Sequence, residues 1–134
     1  MKAFRDLLDQ NFGGGDKISL DNIYDLYLAI DENLPLDVHL SMFIPVLMYH
    51  TSPEQRDMWL KPARRLDIIG AYAQTELGHG SAVRKIATTA HFDQNSDEFI
   101  INSPDLNSTK WWPGGLGKTC THAVVYAQLI IHDK

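Results

Sequence analysis

Near Leu66 the apolar residues stop recurring at helical spacing and begin to alternate, and this switch restricts the chain to an α+β arrangement, helices first and strands after. Upstream, Phe4, Leu7 and Leu8 share one helical face that Gly13, Gly14 and Gly15 bring to an end. Ser19 caps a second helix with an apolar face of Leu20, Ile23, Tyr24, Tyr27 and Leu28, and Asp21 suits the positive end of its dipole. Pro35 breaks the chain before an apolar third helix over 36–49, which Pro45 should kink by removing a backbone hydrogen bond. Ser52, Pro53 and Gln55 form a strong start for a fourth helix: cap, first-position proline and capping box. That helix, carrying Met58, Trp59 and Leu60, is expected to stop near Lys61 and Pro62.

Downstream, Ile68 to Gln74 reads as a buried strand. Ala87 to Asp93 and Glu98 to Ser103 flank the polar turn Gln94-Asn95-Ser96-Asp97, a hairpin with Phe92, Phe99 and Ile101 available for burial. Ala123 to Ile131 is almost uninterruptedly apolar, as in a strand inside a sheet. So apolar a strand needs neighbours on both sides, and from this the chain is expected to be a cut-off part of a larger fold.

With 134 residues, the chain suits one domain, or one small domain plus part of another, and 44% apolar residues argue for a packed core. A net charge of −5 with scattered Lys and Arg argues against nucleic acid as main partner. Cys120 is the single cysteine and cannot close an internal disulfide, so nothing points to secretion. Met1 to Asn11 alternates charges with leucines, unlike a signal peptide, and no membrane span is expected. Ile131-His132-Asp133-Lys134 carries no Ser-Lys-Leu-type peroxisomal address.

Two segments carry the chemistry. Ala71-Tyr72-Ala73-Gln74-Thr75-Glu76-Leu77-Gly78-His79-Gly80 and Lys110-Trp111-Trp112-Pro113-Gly114-Gly115-Leu116-Gly117-Lys118-Thr119 each open into a glycine-rich loop. Such loops bring backbone amides close to a flat, polar-edged cofactor. The second is no phosphate-binding P-loop, because the position five before Gly117 is Trp112 and strand-forming residues follow. Neither the six histidines nor Cys120 with His122 has the spacing or surroundings of a metal or nucleophile site, and Cys120 reads as a small buried hydrophobe. Thr75, ending a strand, either bonds its own loop or donates to a ligand. Trp111 and Trp112 on a strand would face opposite sides, one in the core and one walling a pocket. Gly114 and Gly115 form either a tight turn after Pro113 or a close approach to a ligand.

From about residue 34 onward the chain resembles the peroxisomal acyl-CoA oxidases of the acyl-CoA dehydrogenase/oxidase superfamily. The resemblance rests on His39-Leu40-Ser41-Met42-Phe43 through Gln55 and Trp59-Leu60, on Ile68 to Gly80, on Thr88-Thr89-Ala90, on Glu98 to Pro104 and on Lys110 to Thr119. It implies N-terminal helices followed by an antiparallel β-domain, truncated here, with 1–66 part of the helical domain and 67–134 part of the β-domain with its flavin-facing loops. It further implies FAD-dependent oxidation of fatty acyl-CoA to trans-2-enoyl-CoA in peroxisomal β-oxidation, with O₂ taking the electrons to give H₂O₂, in a homodimer.

Carried over by position, Thr75 contacts the flavin, Gly114 brings its backbone to it, Trp112 walls the site, and Glu76 to Gly80 shape the substrate side. The family's glutamate base lies outside this chain, so no catalytic residue is assigned and activity of the chain alone is not expected. The alternative reading is a non-catalytic truncated module that associates with a full-length oxidase through the edge of Ala123 to Ile131.

Overall fold

A computed structural model describes residues 35–131 together with Asp25 and Ala29, two exposed helical positions. The helix expected around Phe4, Leu7 and Leu8, and all but these two positions of the one capped by Ser19, lie outside the described residues. After a turn at Pro35, a π-helical segment, His39–Phe43, passes into α1, Ile44–Tyr49. Pro45 has no N–H for the Ser41 carbonyl four residues back, and its ring crowds that carbonyl. The widened turn just before it absorbs the misfit, so the expected kink takes the form of a π-bulge.

Helix α2, Pro53–Arg64, begins with both halves of the capping box: Gln55 N donates to Ser52 Oγ at 3.2 Å and Ser52 N to Gln55 Oε1 at 3.0 Å. It runs past Pro62, where a stop was expected. Pro62 sits in the last turn, and the helix closes around it. Arg65 N bonds Lys61 O at 3.1 Å, Asp67 N bonds Pro62 O at 3.0 Å, and Leu66 turns left-handed at φ 57°.

Five strands follow: β1 (Gly70–Ala73), β2 (Thr89–Asp93), β3 (Glu98–Asn102), β4 (His122–Val125) and β5 (Gln128–Ile130). Strand β1 neighbours β4, and β2 lies between β3 and β5. The β2–β3 hairpin is antiparallel with Phe92 opposite Phe99, their rings 5.3 Å apart, while β5 joins β2 in parallel. The sheet around β2 is therefore mixed. Phe99 and Ile101 are exposed rather than buried.

The continuous strand expected over 123–131 is instead two, β4 and β5, in different sheets. Tyr126 breaks it, because its N–H bonds Ala73 O at 3.1 Å and its carbonyl accepts from Lys110 Nζ at 2.7 Å. Its backbone groups are thus committed outside a common ladder.

The chain divides into two compact units, 1–72 with 114–123, and 73–113 with 124–134. In the first, Leu40, Phe43, Ile44, Leu47, Ala63 and Ile69 form the described apolar core. In the second, the buried groups include Glu76, Thr88 and Ser108, a polar centre that must be hydrogen-bonded to be tolerated. No helix among the described residues is long and apolar enough to cross a membrane.

Candidate functional site

In the second unit the first glycine-rich segment is laced to residues 107–111. Trp111 N donates to Thr75 O at 3.0 Å, Leu77 N to Thr109 O at 3.0 Å, and Gly78 N to Asn107 O at 2.8 Å. The pin beneath them is Glu76, whose residue surface is only 2% exposed. Its carboxylate accepts from Ala87 N at 2.8 Å, Thr88 N at 2.9 Å, Thr88 Oγ1 at 2.6 Å and Lys110 Nζ at 3.1 Å. His79 Nε2 lies 3.3 Å from the second carboxylate oxygen.

Burial alone would raise the pKa of Glu76, but the Ala87 amide, the Thr88 hydroxyl and amide and Lys110 together lower it from 4.5 to about 2. The carboxylate is anionic at any ordinary pH. Lys110 also donates to Gln74 O at 3.2 Å and to Tyr126 O, so one ammonium holds three stretches of chain. The Thr88 hydroxyl, spending its proton on Glu76, accepts from Ser103 Oγ at 2.9 Å.

On this frame Thr75 has its backbone bonded and its hydroxyl without a partner among the described residues. Trp111 and Trp112 depart from expectation: they follow no strand, and both are exposed, Trp112 by 77%. Trp112 stands at φ 41°, a left-handed conformation that a bulky residue rarely adopts.

Gly114 belongs to the first unit. At φ +79° it tolerates no side chain without strain, and a Cβ there would lie 2.5 Å from Val38 Cγ2. It lines a cavity of about 220 Å³ with Val38, His39, Gly70, Gly115 and Cys120. The glycine is thus required by the close packing of Val38 on the loop that walls this cavity. Cys120 is half-buried and donates its thiol to Gly114 O at 2.9 Å, and burial pushes its pKa up.

His39 closes the same cavity. Gly70 N donates to its Nδ1 at 2.9 Å, which leaves Nε2 to carry the proton toward Ala63 O at 3.0 Å. Among the described residues no group of three metal-ligating side chains occurs.

Sequence reasoning missed Glu76, Lys110 and His39 as positioning residues. The spacing of Glu76 and Lys110, 34 residues apart, carries no local signal. A carboxylate inside an otherwise apolar and glycine-rich run was the one available hint.

The family described as Acyl-coenzyme A oxidase N-terminal matches residues 1–69, so the likeness extends to the first residue, upstream of where the motifs begin. Peroxisomal acyl-coenzyme A oxidase 1 of Arabidopsis thaliana is 52% identical over 105 residues, 78% of this chain and 16% of that protein. The structure of Arabidopsis thaliana acyl-CoA oxidase 1 superposes with TM-score 0.83 at 43% identity, over 96% of this chain and 19% of that one. Acyl-CoA oxidase-2 of Caenorhabditis elegans, solved with FAD, ascaroside-CoA and ATP, gives TM-score 0.80 at 43% identity over 96% of this chain and 20% of its own. The chain thus spans about a sixth of the length of the curated relative it matches. By the matched family and the shared fold, this chain belongs to the acyl-CoA oxidases.

Proposed function

We propose that the chain is the part of a flavin-dependent acyl-CoA oxidase that presents the two flavin-facing loops, with 1–66 from the helical domain and 67–134 from the β-domain. One observation carries this reading: the Thr75 hydroxyl has no hydrogen-bond partner among the described residues, while its carbonyl accepts from Trp111 N. Thr75 donates to the polar edge of the ring, and Gly114, kept free of a side chain by the packing of Val38, brings its main chain to the cofactor. Trp112 covers an outer wall of the site.

When bound, FAD accepts the hydride of fatty acyl-CoA oxidation to trans-2-enoyl-CoA, and O₂ is the final acceptor, giving H₂O₂. Glu76 is not the base that takes the substrate proton: it is buried, saturated with donors and held at about 2, far from the range a general base needs. Its role is to hold the loops. Peroxisomal residence and a homodimer belong to the same reading, the first supported by the peroxisomal names of relatives.

The test is flavin absorbance of the purified chain after incubation with FAD and desalting. We expect retained flavin, lowered about tenfold or more by Thr75→Val or Gly114→Ala, roughly 1.4 kcal/mol or more of binding. Colourless wild-type protein, or variants that retain flavin equally, would overturn the assignment.

A further inference from the structure

We infer that His39 is a positioning residue whose neutral ring holds the wall of the Gly114 cavity, and that protonating it releases that wall. The inference rests on the cofactor reading only for what the cavity is for. Its basis is geometric. His39 is 1% exposed and bonded at both nitrogens: Nδ1 accepts from Gly70 N, the first amide of β1, and Nε2 donates to Ala63 O, near the end of α2. Its ring stacks on Phe43 at 5.5 Å and 25°, and a Cβ at Gly70 would fall inside the Phe43 ring. Gly70 and His39 both line the cavity that Gly114 and Cys120 close.

A second proton has one place to go, Nδ1, and there it faces the Gly70 N–H. The bond becomes a donor–donor contact in a buried place, which the structure relieves only by moving Gly70 or the ring.

No charged group is hydrogen-bonded to the ring, whose two nitrogens are taken by Gly70 N and Ala63 O. The other ionisable groups on the cavity are Asp37, on the turn leading into the π-helix, and the Cys120 thiol, bonded to Gly114 O. On α2 and the turn after it, Arg64 is directed to Met48 Sδ at 3.7 Å, and Arg65 pairs with Asp67 at 3.4 Å. Neither nitrogen of His39 bonds any of these. Burial holds its pKa below the ordinary 6.5, the Ala63 carbonyl opposing only in part. The neutral ring is therefore the native form at neutral pH, and the wall loosens as pH falls through this lowered value.

The test follows three signals of the whole chain against pH: ring-nitrogen NMR of His39, exchange of the Gly70 amide, and alkylation of Cys120. Flavin retention is read alongside. We expect the Nε2–H tautomer at neutral pH. As Nδ1 takes a proton, the Gly70 amide should lose protection and flavin affinity should fall by up to about tenfold per pH unit.

His39→Asn keeps an acceptor for Gly70 and does not titrate, so its acid limb should vanish and its Cys120 alkylation should stay below wild type at acid pH. His39→Gln keeps only the donor toward Ala63 and should be loosened at every pH. A Gly70 amide that stays protected while the wild-type ring protonates, a ring that carries its proton on Nδ1 at neutral pH, or an acid limb unchanged in His39→Asn would overturn the inference. Should the asparagine variant fail to fold, the wild-type NMR and exchange titrations decide alone. Should no flavin bind at neutral pH, the cofactor reading fails, while the Gly70 and Cys120 signals still decide this one.

Discussion

Glu76 concentrates the chemistry of the second unit in one carboxylate. Removing its charge leaves Lys110, whose side chain is 10% exposed, buried without its counter-ion, so Glu76→Gln is expected to destabilise the chain by about 3 kcal/mol in urea unfolding. The pH dependence has a definite sign. Since folding lowers the Glu76 value from 4.5 to about 2, its stabilisation is complete above 4.5 and is lost as pH falls toward 2. Wild type should therefore lose stability through that window more steeply than the glutamine variant, as unfolding midpoints would record. A variant as stable as wild type at neutral pH would remove Glu76 from its role as pin. The residue itself was visible in the Thr-Glu-Leu-Gly-His-Gly run. Its partners were not, because Ala87, Thr88 and Lys110 reach it only once the chain has turned back.

Among the elements, those set by neighbouring residues follow the sequence most closely. The α2 start is local chemistry, and both reciprocal bonds of its capping box are present. Ser52→Ala should cost about 1 kcal/mol, seen as a lower unfolding midpoint, and no change would mean that tertiary packing alone holds this end. The β2–β3 hairpin around Asp93 to Glu98 is local in the same sense: Asn95 N bonds Asp93 Oδ1 at 2.9 Å and Asp97 takes φ 57°. The stop at Pro62 and the single strand over 123–131 were misjudged for opposite reasons. Pro62 forfeits only its own bond to the Met58 carbonyl, and Arg65 N to Lys61 O and Asp67 N to Pro62 O close the last turn around it, so propensity overstated the break. At Tyr126 a side chain from a distant segment, Lys110, takes the carbonyl, which no local pattern records.

For the molecule as a whole, Phe99, Ile100, Ile101 and Leu129 leave the sheet of the second unit with an exposed apolar surface, Ile100 by 56%, and β3 stands at its edge. Such an edge favours pairing with another strand. Sedimentation should show self-association that grows with concentration and falls in Ile100→Lys, whereas a monomer at every concentration would show the edge to be inert. The order of helices before strands, the α2 cap, the hairpin and the two glycine-rich segments were determined by the sequence alone, because each depends on residues within a turn or two of one another. Tertiary structure alone decided that β5 runs parallel to β2, that Lys110 divides β4 from β5, and that Glu76 and His39 become buried pins. Those outcomes depend on hydrogen bonds between residues distant in the chain, and a buried polar group acquires its partner only when folding has excluded water from both.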